Sequence, residues 1–293
     1  MSSRNLLNLV LFGIVLVLIV IVVVEPGKTP ETTLTTLTTL KQDDISHILI
    51  QRDTGIDIEL QKTGGKWQML KPFLLPANDF RMQSLLRLLE TESYSQNDLS
   101  KLDISKFSLD KPRARITFNH QYTILFGGNE PLQQRRYVQA DNTLHLILDT
   151  FYYQLAAHET TYLDHSLLGG KQNINRLELP ALTVEFKEGK WHAMPKQENI
   201  SADAITDLIN QWRNTQAIKM QPVNDVISKD IAKIFFKDQE QPIVFHIQKN
   251  KGETALIRKD IGLVYILSED VLKKLLNLAI SDNDKTNDAD KTP

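Results

Sequence analysis

Apolar and polar positions fall along the chain in two rhythms, a strand rhythm and a helix rhythm, and the same order of rhythms occurs twice. In Ile45–Gln51 and Ile56–Gln61 apolar and polar residues alternate, as in strands with one buried face. Asp53-Thr54-Gly55 supplies the turn between them, and Trp67–Leu70 reads as a third strand. Asn78 is placed to cap a helix running to about Thr91. Within it Met82, Leu85, Leu86 and Leu89 stand at i, i+3, i+4 and i+7, one helical face. A linking stretch runs through Pro112. Four more strands are then expected at Arg115–Asn119, Tyr122–Phe126, Arg136–Gln139 and Thr143–Leu148, and a short helix from Asp149 to about Ala157.

The second copy keeps that order. Gly65-Lys66-Trp67 recurs as Gly189-Lys190-Trp191, and Ile45, Ile48 and Ile50 are matched by Ile174, Leu177 and Leu179. Strands are expected at Ile174–Leu179, Leu182–Phe186 and Lys190–Met194. Ser201 is the counterpart of Asn78, capping a helix to about Thr215 whose face is Ile205, Leu208, Ile209 and Trp212. Strands at Lys233–Phe236, Ile243–Gln248, Thr254–Arg258 and Leu263–Leu267 follow, with a helix from Glu269 to Ile280. Hairpin-length connections between most strands predict antiparallel sheets covered by helices, an α+β fold. Side-by-side packing around a pseudo-two-fold axis and separate beads both remain open.

Leu9–Val24 is an unbroken apolar run, and counted from Leu6 it holds nineteen residues. At about 1.5 Å per residue it approaches the roughly 30 Å hydrocarbon core of a bilayer. A cleaved signal peptide would end in small residues at fixed spacing, whereas this run ends Val22-Val23-Val24-Glu25-Pro26, so an uncleaved anchor is expected. Arg4 before the run and Glu25 after it favour a cytoplasmic N-terminus and an exported body. The expected fold class is therefore α+β, with an N-terminal transmembrane helix followed by two tandem repeats of antiparallel sheet with covering helices. The domains read as a short cytoplasmic N-terminus (1–5), a transmembrane anchor (6–24), a Thr-rich stalk (25–40), repeat 1 (41–157), a connector (158–173), repeat 2 (174–280) and a disordered polar tail (281–293).

Composition narrows the chemistry. The formal net charge is −2 and there are no cysteines, so neither nucleic acid nor a thiolate metal site is indicated. The one metal-like cluster is His158-Glu159 with His165. A zinc-protease helix needs its second histidine four residues on, where Tyr162 stands, and seven residues span about 10 Å. This segment reads as a polar connector. Gly127-Gly128-Asn129-Glu130-Pro131 reads as a hairpin turn, Gly169-Gly170-Lys171 lacks the upstream glycine and the following Ser/Thr of a phosphate loop, and Gly64-Gly65-Lys66 leads into a strand and not a helix. No Gly-x-Ser-x-Gly elbow is present. Asn199-Ile200-Ser201 matches a glycosylation sequon, though its serine is better explained as the helix cap. Arg135-Arg136 and Lys273-Lys274 read as a solvated face. Trp67 and Trp191, in equivalent places, read as packing residues over the helix that follows each. With Asn78 and Ser201 they form a structural framework; no catalytic, cofactor-binding or metal residue is assigned.

Gly65-Lys66-Trp67-Gln68-Met69-Leu70-Lys71-Pro72, then Pro76-Ala77-Asn78-Asp79 opening a helix, resembles the bacterial family called domain of unknown function 4340. Phe107-Ser108-Leu109-Asp110-Lys111-Pro112 and Leu125-Phe126-Gly127-Gly128 resemble further segments, with Ser108 standing where a glycine is usual. Met194-Pro195 and Ser201-Ala202-Asp203 echo the pattern in the second copy. The resemblance implies a membrane anchor, an exported body and association with ABC-type transporters related to gliding-motility exporters, without assigned catalytic residues. The function expected from it is a non-catalytic accessory or scaffold in the bacterial inner membrane. The membrane itself and an ABC permease or partner ectodomain would be its partners. The alternative is a membrane-tethered periplasmic protein binding a small molecule or glycan between the repeats. A hydrolase would need an Asp/Glu/His cluster formed only in space.

Overall fold

Two antiparallel sheets, threaded alike, carry the chain. A computed structural model describes residues 11–20, 35–131, 134–170, 173–196, 201–224, 228–250 and 253–278. Residues 11–20 are helical (α1). Thr35–Thr36 (β1) leads to His47–Arg52 (β2), Ile58–Thr63 (β3), Lys66–Lys71 (β4) and Leu75–Pro76 (β5). Helix α2 (Asp79–Leu86) then leads to Glu92–Ser93 (β6) and Ser95–Asp98 (β7). Ala114–Phe118 (β8), Tyr122–Asn129 (β9), Arg135–Ala140 (β10), Thr143–Leu148 (β11) and α3 (Thr150–Leu155) complete the first copy. The second holds Ile174–Leu179 (β12), Leu182–Lys187 (β13), Lys190–Met194 (β14), α4 (Ala202–Asn214) and Lys219–Pro222 (β15). It ends with Ile231–Phe236 (β16), Ile243–Asn250 (β17), Glu253–Arg258 (β18), Leu263–Leu267 (β19) and α5 (Glu269–Leu276).

The strand orders are β5-β4-β3-β2-β8-β9-β10-β11-β7 and β14-β13-β12-β16-β17-β18-β19-β15. Apart from the extra β5 they are one topology, so register assigns counterparts across the copies. Alternation turns one face of each strand inward. Ile48, Ile50, Ile58, Leu60 and Met69 meet Met82, Leu85 and Leu86 of α2 in the first copy. In the second, Leu177, Val184, Ile234 and Phe245 meet Ile205, Leu208, Ile209 and Trp212 of α4. Trp212 donates its indole N–H to the Leu275 carbonyl at 2.9 Å, tying α4 to α5.

The segment after α3, read as a polar connector, carries buried apolar residues as well. Its single 3₁₀ turn, Glu159–Tyr162, is followed by Leu163, Leu167 and Leu168, all buried in the common core. Towards the first copy, Asn78 N donates to Tyr162 O at 2.8 Å and Asp164 N to Pro76 O at 2.9 Å. Towards the second, Leu167 N donates to Thr215 O at 3.1 Å and Ala217 N to His165 O at 2.9 Å. Arg52 Nη2 lies 3.6 Å from Glu159 Oε2, both side chains being buried. The threonine-rich segment also differs from a spacer where it is described. β1 pairs with β6, Leu37 is buried, and Thr38 Oγ1 donates to Leu89 O at 3.2 Å. The expected disordered tail over 281–293 lies outside the described residues.

The expected transmembrane anchor over 6–24 is corrected. Among the described residues no helix is long and apolar enough to cross a membrane. The described part of that run is α1 over residues 11–20. Residues 6–10 and 21–24 of the expected span lie outside the described residues. The transmembrane part of the expected fold class falls with it. So do the single-pass inner-membrane location with a periplasmic body, the membrane and ABC permease as partners, and the transport-accessory role. The membrane-tethered form of the alternative is corrected on the same ground.

Candidate functional site

Counterpart positions in the two sheets hold different chemistry, and the difference creates a cavity. On β10, Arg136 pairs with Asn129 of β9 and Ile147 of β11. On β18, Thr254 pairs with Lys249 of β17 and Leu267 of β19, so Thr254 stands where Arg136 does. Both side chains point to the face covered by the last helix of their copy.

In the first copy this place is full. Arg136 donates from Nε to Asp149 Oδ1 at 2.5 Å, from Nη2 to Asp149 Oδ2 at 3.0 Å and from Nη1 to Gly127 O at 2.5 Å. Asn129 donates its amide to Asp149 Oδ2 at 3.0 Å. The guanidinium lies 3.8 Å over the Tyr152 ring of α3. Every charge here is met by hydrogen bonds, which burial of an ion pair requires. Arg52 closes the outer side, donating to Ala157 O at 2.7 Å. A residual void of about 40 Å³ remains beside Arg52, Arg113, Tyr152 and Ala156.

In the second copy the same place is open. Thr254 replaces the long arginine, and Leu272 of α5 stands where Tyr152 stands, three residues before the fully buried Leu275 and Leu155 respectively. Between α5, the β12–β13 turn at Pro180-Ala181 and the β17–β18 strands lies a cavity of about 820 Å³. This volume falls in the range of small-molecule sites. Leu267, Leu272 and Leu276 give it an apolar wall, and Asp230, Lys249, Glu269 and Lys273 are charged groups lining it. Lys273 Nζ and Glu269 Oε1 are 3.0 Å apart, one turn apart on α5. That hydrogen bond from Lys273 draws the Lys273 pKa upward from its ordinary value. Thr254 Oγ1 donates to Leu267 O at 2.8 Å, and Ser268 Oγ accepts from Val271 N at 3.3 Å.

Of the residues singled out from sequence, Lys273 lines this cavity, and the framework residues and the His158–His165 cluster stand outside it. Asn78 Oδ1 accepts from Arg81 N at 3.0 Å and Ser201 Oγ accepts from Ala204 N at 3.0 Å, at the starts of α2 and α4. Trp67 is buried, whereas Trp191 is partly buried, edge-on to Phe186 at 5.2 Å between centroids. His158 and His165 flank a cleft of about 260 Å³ against Lys219–Gln221. His158 Nδ1 lies 2.9 Å from Thr160 Oγ1 and Nε2 3.5 Å from Glu159 Oε1. Among the described residues no three His, Cys, Asp or Glu side chains are grouped to hold a metal ion. Arg136, read as part of a solvated face, is only 3% exposed. The cavity lies inside the second copy and not between the repeats. Its signal in sequence was the mismatch of Arg136 with Thr254, visible only once strand register aligns the copies.

Residues 67–288 match a family model described as a domain of unknown function, DUF4340. No curated protein matches the chain, and no solved structure does.

Proposed function

The chain belongs to the DUF4340 family, and on that premise we propose that it is a binding protein in which one copy of the fold is closed for stability and the other open for a ligand. The observation that carries this reading is the inequality of the two equivalent places, about 40 Å³ in the first copy and about 820 Å³ in the second. The ligand is a small organic molecule with an apolar body, which Leu267, Leu272 and Leu276 receive, and polar ends met by the charged residues around them. The action is binding and not turnover. The two hydroxyls at the wall, Thr254 and Ser268, are already engaged by backbone groups, which suits a fixed surface better than a nucleophile.

Ligand-observed NMR of the full chain against a fragment library tests the proposal. Thr254→Arg imports the side chain that fills the first copy, and Leu272→Trp fills the cavity from the helix side. Binders of the parent protein are expected to weaken at least tenfold in both variants while the thermal transition remains. Binders that ignore both substitutions, or a library without any binder, would overturn the reading.

A further inference from the structure

We infer that the ligand of this cavity is a short apolar peptide of about two residues with both termini free, its ammonium group received by Asp230 and its carboxylate by Lys249. This rests on the binding reading above and names the class of ligand.

The four charges lining the cavity sum to zero, but they are not equivalent. Glu269 and Lys273 neutralise each other on α5 at 3.0 Å. Asp230 and Lys249 are exposed, and neither side chain has an ion-pair or hydrogen-bond partner among the described residues; the polar contacts of Asp230 are made by its backbone. One free anion and one free cation beside an apolar wall fit a ligand that carries one of each. A fatty acid or an organic cation would leave one of the two unanswered.

Register sets the spacing of their backbones. Ile247 N donates to Asp230 O at 2.8 Å, which places Asp230 beside Ile247 across the β16–β17 pair. Lys249 lies two residues further along β17, about 7 Å along the strand and one strand spacing of about 4.8 Å across, so the two backbones stand about 8 Å apart. An extended peptide spans at most about 3.3–3.6 Å per residue, so two residues, about 7 Å, are of the same length as the backbone spacing. A single amino acid presents one side chain, whereas three leucines wall a cavity of about 820 Å³ with room for two. The apolar side chains of the peptide would lie against Leu267, Leu272 and Leu276.

Titration calorimetry on the full chain tests this with leucine, Leu-Leu, N-acetyl-Leu-Leu, Leu-Leu-amide and the doubly blocked peptide. Leu-Leu is expected to bind best, and blocking either end to weaken it. Exposed ion pairs are modest, so each lost charge should cost about 2–5-fold. Lys249→Met should weaken Leu-Leu but leave Leu-Leu-amide unchanged, and Asp230→Asn should weaken Leu-Leu but leave the N-acetyl form unchanged. If the doubly blocked peptide binds as well as Leu-Leu, or if fragments occupy the cavity while no peptide does, the peptide inference fails and the binding reading stands. If peptides and fragments alike leave the cavity empty, the binding reading itself has failed.

Discussion

Asp149 holds Arg136 in place with a bidentate contact in a region both side chains share with almost no water. Removing one partner of a buried pair strands the other charge, at a cost of about 3–5 kcal/mol. Asp149→Ala is therefore expected to lower the unfolding free energy by that amount in urea denaturation, and a loss under 1 kcal/mol would show that the pair is not buried as described. His145 of β11 supplies a prediction in pH. It is buried with Nδ1 3.1 Å from Ser93 Oγ, and burial pushes its pKa below the ordinary 6.5, opposed by the nearby Asp141. The folded chain then binds fewer protons at this site than the unfolded chain does. Its contribution to stability is complete above pH 6.5 and is lost as pH falls through the lowered folded value. His145→Gln should flatten the fall of stability between pH 7 and 5, measured as denaturation midpoint against pH; an unchanged slope would rule the residue out as a source.

Elements followed from local pattern wherever one face is buried. β12, β13 and β14 begin where alternation places them, and α4 runs over Ala202–Asn214 behind its expected cap. Ser201→Ala removes the acceptor for Ala204 N and should cost about 1 kcal/mol, read as a lower midpoint in chemical denaturation. A midpoint equal to that of the parent would mean water replaces the cap. Besides the two-residue β1, β5 and β6, the strands that pattern did not reveal are β7 and β15. β7 is Ser-Gln-Asn-Asp with all four residues exposed, and β15 buries only Met220, so neither carries a period that local reading can detect. Gly127 and Gly128 are a different miss. They lie inside β9 and not in a turn, because the Phe107 carbonyl crosses so closely that a Cβ on Gly127 would stand 2.2 Å from it. That approach joins residues twenty apart in sequence, and no local motif announces it.

At the scale of the molecule, one core cluster contains residues of both sheets, joined through Tyr162, Leu163, Leu167 and Leu168 of the connecting segment. Backbone hydrogen bonds fasten that segment to both copies, so the copies should unfold together. Variants keeping only Trp67 or only Trp212 report on different sheets, and their fluorescence transitions are expected to coincide with loss of the far-ultraviolet circular dichroism signal. Two separated transitions would show that the copies are independent. By itself the sequence determined the type and order of most elements, the duplication, and which faces are apolar, because these depend on periods of two and 3.6 that neighbouring residues carry. Only the tertiary structure decided that Arg136 is buried, that the connecting segment is packed on both sides, and that the second copy holds an open cavity. Those facts depend on which residues meet across strands and on the volume left between a sheet and its covering helix. Both are set by partners more than a hundred residues apart in some cases, as Arg52 and Ala157 are.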